Sequence, residues 1–256
     1  MTCISLLTIP IASSLHAMEH PRCVGWGEIG LDYKVSQAPR AVQQAVLERQ
    51  LRHAVRLGKP ITIHTREAEE DTERILKAEV PRDHPVCFMF TCGPRLMLVP
   101  KMHIHCFTDS PELALRLIDH FPNLYIGITG RRHFFTRIAL VLIIGRTGVI
   151  TYTSNLNTTN LIRALVTTPT LSLRILLETD APYMIPSNIY RDLQNFPPGS
   201  KLPISHTGMI PWTAEWVSNV ATEAARQNGE CGGAGEWSVE RVMREARDNA
   251  TKVYGV

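Results

Sequence analysis

Two stretches decide the fold: Gly27-Glu28-Ile29-Gly30-Leu31-Asp32-Tyr33 and, further on, Pro60-Ile61-Thr62-Ile63-His64-Thr65-Arg66. Each is a short apolar run that carries a polar side chain, Glu28 or His64, near its end. Residues 24–29 read as a buried strand closed by Gly30, and 60–64 as a second strand ending on His64. Between them, Val42, Ala45, Val46, Arg49 and His53 recur at spacings of three and four. They predict a helix over 41–57, stopped by Gly58 and Pro60.

The alternation continues outward. A helix is expected over 67–78 and a strand over 102–107. The next helix opens with Ser110 as N-cap and Pro111 at its first position. Strands at 124–128 and 173–178 flank a helix at 158–166, and helices at 211–227 and 239–254 follow. The last has Val239, Val242, Met243, Ala246, Ala250 and Val253 on one face, so it docks on the body. Apolar strands alternating with helices mean parallel strands covered by helices.

Barrels and open doubly wound sheets both satisfy that pattern, and the polar residues decide between them. Glu28, His64, His105 and Asp180 each stand at or just beyond a strand's C-terminal end. A barrel gathers those ends around one mouth. An open sheet would favour a switch point with a glycine-rich phosphate loop, and neither G-x-G-x-x-G nor G-x-x-x-x-G-K-[ST] is present. The expected fold is α/β, a TIM-type (β/α) barrel formed by a single domain over 1–256.

The 256 residues suit one large domain, and 44% hydrophobic with 20% charged residues excludes disorder. A net charge of +3 tolerates a phosphate-bearing substrate without indicating a nucleic-acid-binding face. Six cysteines without C-x-x-C spacing read as free thiols in a reducing compartment, which points to an intracellular protein of cytoplasm or nucleus. The apolar stretch 3–15 lacks a basic leader and is broken by Pro10. The run 138–144 is far too short to span a bilayer, so no membrane association is expected.

Four positions carry the chemistry. Glu28 is a carboxylate in an apolar strand, which needs a metal or an ion pair to Arg or Lys. His64 is either a ligand or a hydrogen-bonded core histidine. His103 and His105 alternate along one strand and so face the same side, as two ligands or as one structural and one surface residue. Asp180, with Glu178 on the same side, either binds a cation or caps its loop. Together, carboxylates and imidazoles at successive strand ends suit zinc or manganese, with an open position for a water of lowered pKa. No G-x-S-x-G elbow supports a serine hydrolase.

At these residues the sequence resembles the TatD family of metal-dependent deoxyribonucleases, within the amidohydrolase-like barrels. The matching signatures are GEIGLDY (27–33), PITIHTR (60–66), HIHCFTDS (103–110), LYIGITG (124–130), ETDAPY (178–183) and the terminal NATKVYG (249–255). The resemblance implies a barrel that binds two divalent metals (zinc, manganese or magnesium) and cleaves phosphodiesters of DNA with metal-activated water. It implies that Glu28 bridges the metals and that His64 and His105 ligate one of them. Asp180 would ligate the other and handle the water's proton. Arg66 and Tyr183 would lie near the substrate phosphate; a surface salt bridge and core packing are their alternatives.

The chain also departs from the family pattern. Little precedes residue 24, and it holds no H-x-H pair, so the barrel is expected to lack its first strands and one metal site most of its ligands. Segments 86–100 and 131–147 have no counterpart in the pattern and read as atypical insertions. Two other functions compete: a barrel hydrolase of small esters, amides or phosphotriesters, and an impaired homologue serving as a scaffold.

Overall fold

The computed structural model describes residues 11–82, 101–129, 156–168, 170–193, 196–197, 200–229 and 237–255. The two expected insertions, 86–100 and 131–147, lie outside the described residues. In chain order the elements are α1 (Ile11–Ala17), β1 (Trp26–Asp32), α2 (Arg40–Leu57), β2 (Ile61–Arg66) and α3 (Glu69–Glu79). They continue with β3 (Met102–Ile104), α4 (Pro111–His120), β4 (Leu124–Thr129), α5 (Asn157–Thr167) and β5 (Ile175–Glu178). Two 3₁₀ turns (Ser187–Arg191 and Thr207–Met209) lead into α6 (Ile210–Gln227) and α7 (Val239–Tyr254).

The five strands form one sheet in the order β1-β2-β3-β4-β5, and the first three pairs are parallel. Spatial order equal to sequence order means that the chain winds one way and never reverses. That is the winding of a barrel arc rather than of a doubly wound sheet, which must reverse at its switch point.

The described chain divides into two compact units. The first comprises Met1–Gly127, Arg174–Leu176 and Ala246–Val256. Its core sets Leu31, Ile61, Ile63, Met102, Ile104, Leu124 and Ile126 from the strands with Leu47, Leu51, Ile75, Leu76, Leu113 and Leu117 from the helices, all essentially sealed from solvent. Each such aliphatic contributes about 1.5–3 kcal/mol by its burial. The second unit comprises Ile128–Leu173 and Leu177–Glu245, with α5 and α6 packed together and Leu161, Ile162, Leu165, Val217 and Ala221 buried.

Local signals explain several boundaries. Ser110 Oγ accepts from the Leu113 amide with Pro111 behind it, the N-cap that the sequence calls for. Gly58 closes α2 in the left-handed conformation at φ 62°. The stripe read on α2 is displaced: Gln43, Leu47, Gln50, Leu51 and Ala54 are buried, whereas Val42 is exposed. Gln43 tolerates burial because its Oε1 accepts from the Asp32 amide and its Nε2 donates to the Ala38 carbonyl.

Candidate functional site

Strand β2 is buried at Ile61, Ile63 and Thr65 and part-open at Thr62, His64 and Arg66. The first set faces the helices and the second the opposite side of the sheet, since side chains alternate along a strand. Register then aligns the site. Gly30 pairs with His64, Asp32 with Arg66, and Thr62 with His103. Beyond the end of β3 the His105 amide still donates to the Ile63 carbonyl, so His105 stands beside His64. The sequence reading carries that strand through residue 107. It stops at Ile104 because Cys106 enters the left-handed region at φ 47° and turns the chain away.

The glycines beside Glu28 let β1 come close to β2. A Cβ on Gly30 would lie 1.8 Å from the His64 carbonyl oxygen, and one on Gly27 would lie 2.6 Å from Thr62 Cβ. That approach sets the Glu28 carboxylate between two imidazoles, with Oε1 2.9 Å from His64 Nδ1 and Oε2 3.9 Å from His105 Nε2. Three of the four sequence-predicted ligands are thereby gathered in the first unit. Asp180 belongs to the second unit, just beyond β5, with φ 51° and its carbonyl accepting from the Tyr183 amide. Glu178 Oε2 accepts from Thr129 Oγ1 there.

Arg66 Nη1 lies 3.3 Å from Asp32 Oδ2, so it makes the salt bridge that was its alternative reading, while its side chain remains 41% exposed. Tyr183 is 55% exposed, which rules out core packing. His103 is buried, with Nδ1 bonded to the Tyr254 hydroxyl at 2.9 Å.

Two carboxylates escaped the sequence reading. Asp32 accepts from the Lys34 and Val35 amides on Oδ1 and presents Oδ2 to His64 Nε2 at 3.6 Å. The final Asp of GEIGLD was the available signal, two residues past Gly30 and four past Glu28 along β1. Asp109 is buried beyond β3. Burial, reinforced by the Glu69 charge, pushes its carboxyl up to about 6, against the Thr65 hydroxyl and Glu67 amide bonds that oppose the rise.

The residues present suit a divalent cation. His64 Nε2 is buried and has no hydrogen-bond partner, although a buried ring nitrogen ordinarily finds one. A carboxylate between two imidazoles, with a further carboxylate alongside, is the mixed nitrogen and oxygen donor set of zinc or manganese sites. Glu28, His64 and His105 are among the residues that could hold such an ion. A cleft bounded by Glu28, Gly30, Asp32, Ser36, Gln43 and His64 opens beside them.

Known proteins match this chain over most of its length. The family model described as TatD related DNase matches residues 10–255. The human protein named 3'-5' RNA nuclease TATDN2 is 33% identical over 207 residues, covering 80% of this chain and 21% of that protein. The Buchnera aphidicola protein named uncharacterized metal-dependent hydrolase BU355 is 30% identical over 174 residues, covering 68% of this chain and 50% of its own length. The chain thus spans about half of one of these relatives and about a fifth of the other. Among solved structures, YJJV, a TatD homologue from Escherichia coli, superposes with a TM-score of 0.58 at 22% identity, over 98% of this chain and 73% of that one, and shares its fold. The chain belongs to the TatD-related DNase family.

Proposed function

We propose that the chain is a metal-dependent nuclease that hydrolyses phosphodiester bonds, with DNA as its substrate and at least one divalent ion held by Glu28, His64 and His105. The observation that carries this reading is the Glu28 carboxylate of β1 lying between the imidazoles of His64, on β2, and His105, just beyond β3, on three adjacent strands of the sheet. When bound, the ion lowers the pKa of an attacking water and offsets charge on the phosphate. Glu28 gives the pocket its negative charge and fixes the His64 ring through Nδ1. Asp32, itself clamped by two amides, places a second carboxylate 3.6 Å from the other ring nitrogen, the one without a hydrogen-bond partner. Arg66 keeps part of its guanidinium exposed for a phosphate oxygen. Asp180 is assigned the second ion and the water's proton, and Tyr183 a substrate contact, as the family resemblance implies.

Among the described residues no helix is long and apolar enough to cross a membrane. Among the described residues, part-buried Cys23 is a free thiol, which supports a reducing cytoplasmic or nuclear setting.

The test is Glu28→Gln. The purified chain should bind manganese or zinc and degrade single-stranded DNA, and the variant should lose both properties while melting as a folded protein. RNA assayed in parallel separates the polymers, and small phosphotriesters test the smaller-substrate alternative. Undiminished DNA cleavage by a clean variant preparation would sink the assignment.

A further inference from the structure

The C-terminal end of α7 reaches the face of the sheet that carries the proposed ligands. The Tyr254 hydroxyl lies 2.8 Å from Thr62 Oγ1 on β2 and 2.9 Å from His103 Nδ1 on β3. Thr62 and His103 are register partners. They stand two residues before His64 and His105 on the same face, about 6.6 Å below them at the rise of a parallel strand. One hydroxyl therefore ties together the two strands that carry the histidines, one side-chain layer beneath the site. The ring also has a prepared seat. A Cβ at Gly25 would lie 3.1 Å from Tyr254 Cε1, so the glycine leaves the space that the tyrosine fills. Val253 and Ala250 on the same helix anchor it against Tyr125 and Leu176.

We infer that Tyr254 is a positioning residue for the metal site, acting through His103 on His105; this rests on the proposed metal-dependent function. The hydroxyl carries one proton, so its two bonds are coupled. It can donate to only one of the two, and whichever atom of the Tyr254–His103 pair donates sets the tautomer of His103. The His103 ring stands edge-on to the His105 ring, with centroids 6.3 Å apart and planes at 85°. It stands the same way to Tyr254, at 6.2 Å and 83°. A ring held through Nδ1 and packed against His105 limits the rotation open to His105. Phenylalanine would fill the same seat and lose only the hydroxyl.

The experiment compares the full-length wild-type chain with Tyr254→Phe and Val253→Ala. Val253→Ala keeps the hydroxyl and removes buried volume from the same helix end. Manganese affinity is measured by chelator competition, the cobalt-loaded site by its visible absorption, and imidazole nitrogen shifts by NMR on the metal-free chain. Tyr254→Phe should weaken manganese binding by about tenfold, the scale of an outer-shell loss. It should also alter the cobalt spectrum and release His103 into mixed tautomers with a concurrent change at His105. Val253→Ala should lower the melting temperature while holding affinity within about twofold of wild type, since it leaves the donor shells intact. Unchanged His105 resonances in Tyr254→Phe would overturn the inference, as would affinity losses in the two variants that merely track their melting temperatures. Failure of the wild type to bind any metal would instead overturn the proposed function, and the NMR comparison would still decide the role of Tyr254.

Discussion

Replacing Asp109 by asparagine isolates one buried acid and makes its cost measurable. Asp109 is 8% exposed and its Oδ2 has no hydrogen-bond partner, while the Thr65 hydroxyl and Glu67 amide serve the carboxylate elsewhere. Burial is the largest cause of the rise from 3.8 to about 6, and the nearby Glu69 charge adds to it. Because the folded-state value lies above the unfolded one, the fold prefers the neutral acid. The associated stability is complete below pH 3.8 and is lost as the pH rises through about 6. Each pKa unit corresponds to about 1.4 kcal/mol, so ionisation costs the fold up to about 3 kcal/mol in neutral and alkaline medium. Asparagine removes the titration and keeps an oxygen for Thr65 and Glu67. Its own NH₂ adds an offset that does not vary with pH. Urea unfolding of both proteins at about pH 4 and about pH 8 should show the variant gaining on wild type by roughly 2–3 kcal/mol between the two conditions. A stability difference equal at both pH values would refute the argument, because a carboxyl that ionises freely in the folded state cannot produce a changing difference.

Two further substitutions probe the frame around the site. Arg116, and after it Lys77, hold the Glu73 carboxyl down at about 2, so its contribution is present above the ordinary 4.5 and disappears as the pH falls through 2. Since the Arg116 side chain is 51% exposed, Glu73→Gln should cost about 1 kcal/mol at neutral pH, well below what the lowered value alone would give, and nothing in strong acid; thermal melts across that range check it. Gly30→Ala would drive a Cβ to 1.8 Å from the His64 carbonyl oxygen at a backbone φ of 155°, so the loss should exceed about 3 kcal/mol in chemical unfolding. A Gly30→Ala chain as stable as wild type would mean that β1 and β2 do not pair as described.

The grouping of Glu28, His64 and His105 was legible because a polar residue in or just after an apolar run is a local signal, and parallel pairing brings neighbouring strands together without further information. What escaped depends on partners distant in sequence. Gln43 and Gln50 read as surface residues on hydropathy, yet they are buried, and Gln43 is satisfied by the Asp32 amide and the Ala38 carbonyl. Asp32 and Asp109 look like loop acids until β2 and its turn are placed against them. Tyr254 sits in a helix whose apolar face was visible at Val242, Ala246 and Val253, but its hydroxyl partners lie 192 and 151 residues away. The end of β3 also depended on a backbone conformation at Cys106 that residue type does not announce.

That conformation belongs to a pattern. Among the described residues the non-glycine positions of positive φ are Glu67 at 53°, Cys106 at 47°, Asp180 at 51° and Met184 at 58°. Glu67 follows Arg66, Cys106 follows His105, Met184 follows Tyr183, and Asp180 is itself a proposed ligand. At Glu67 and Cys106 the left-handed residue turns the backbone away at or just past the strand, directly behind Arg66 and His105. Such residues cost about 1–3 kcal/mol each and persist only where the surroundings over-determine them. At Glu67 those surroundings are visible: its amide is held by Asp109 and its carboxylate is paired with Lys34. The buried acid whose ionisation weakens the fold thus also holds the turn that presents Arg66. Asp109→Asn should preserve that turn only because an amide oxygen still accepts from Glu67. An alanine there would remove the burial cost and the turn's anchor together.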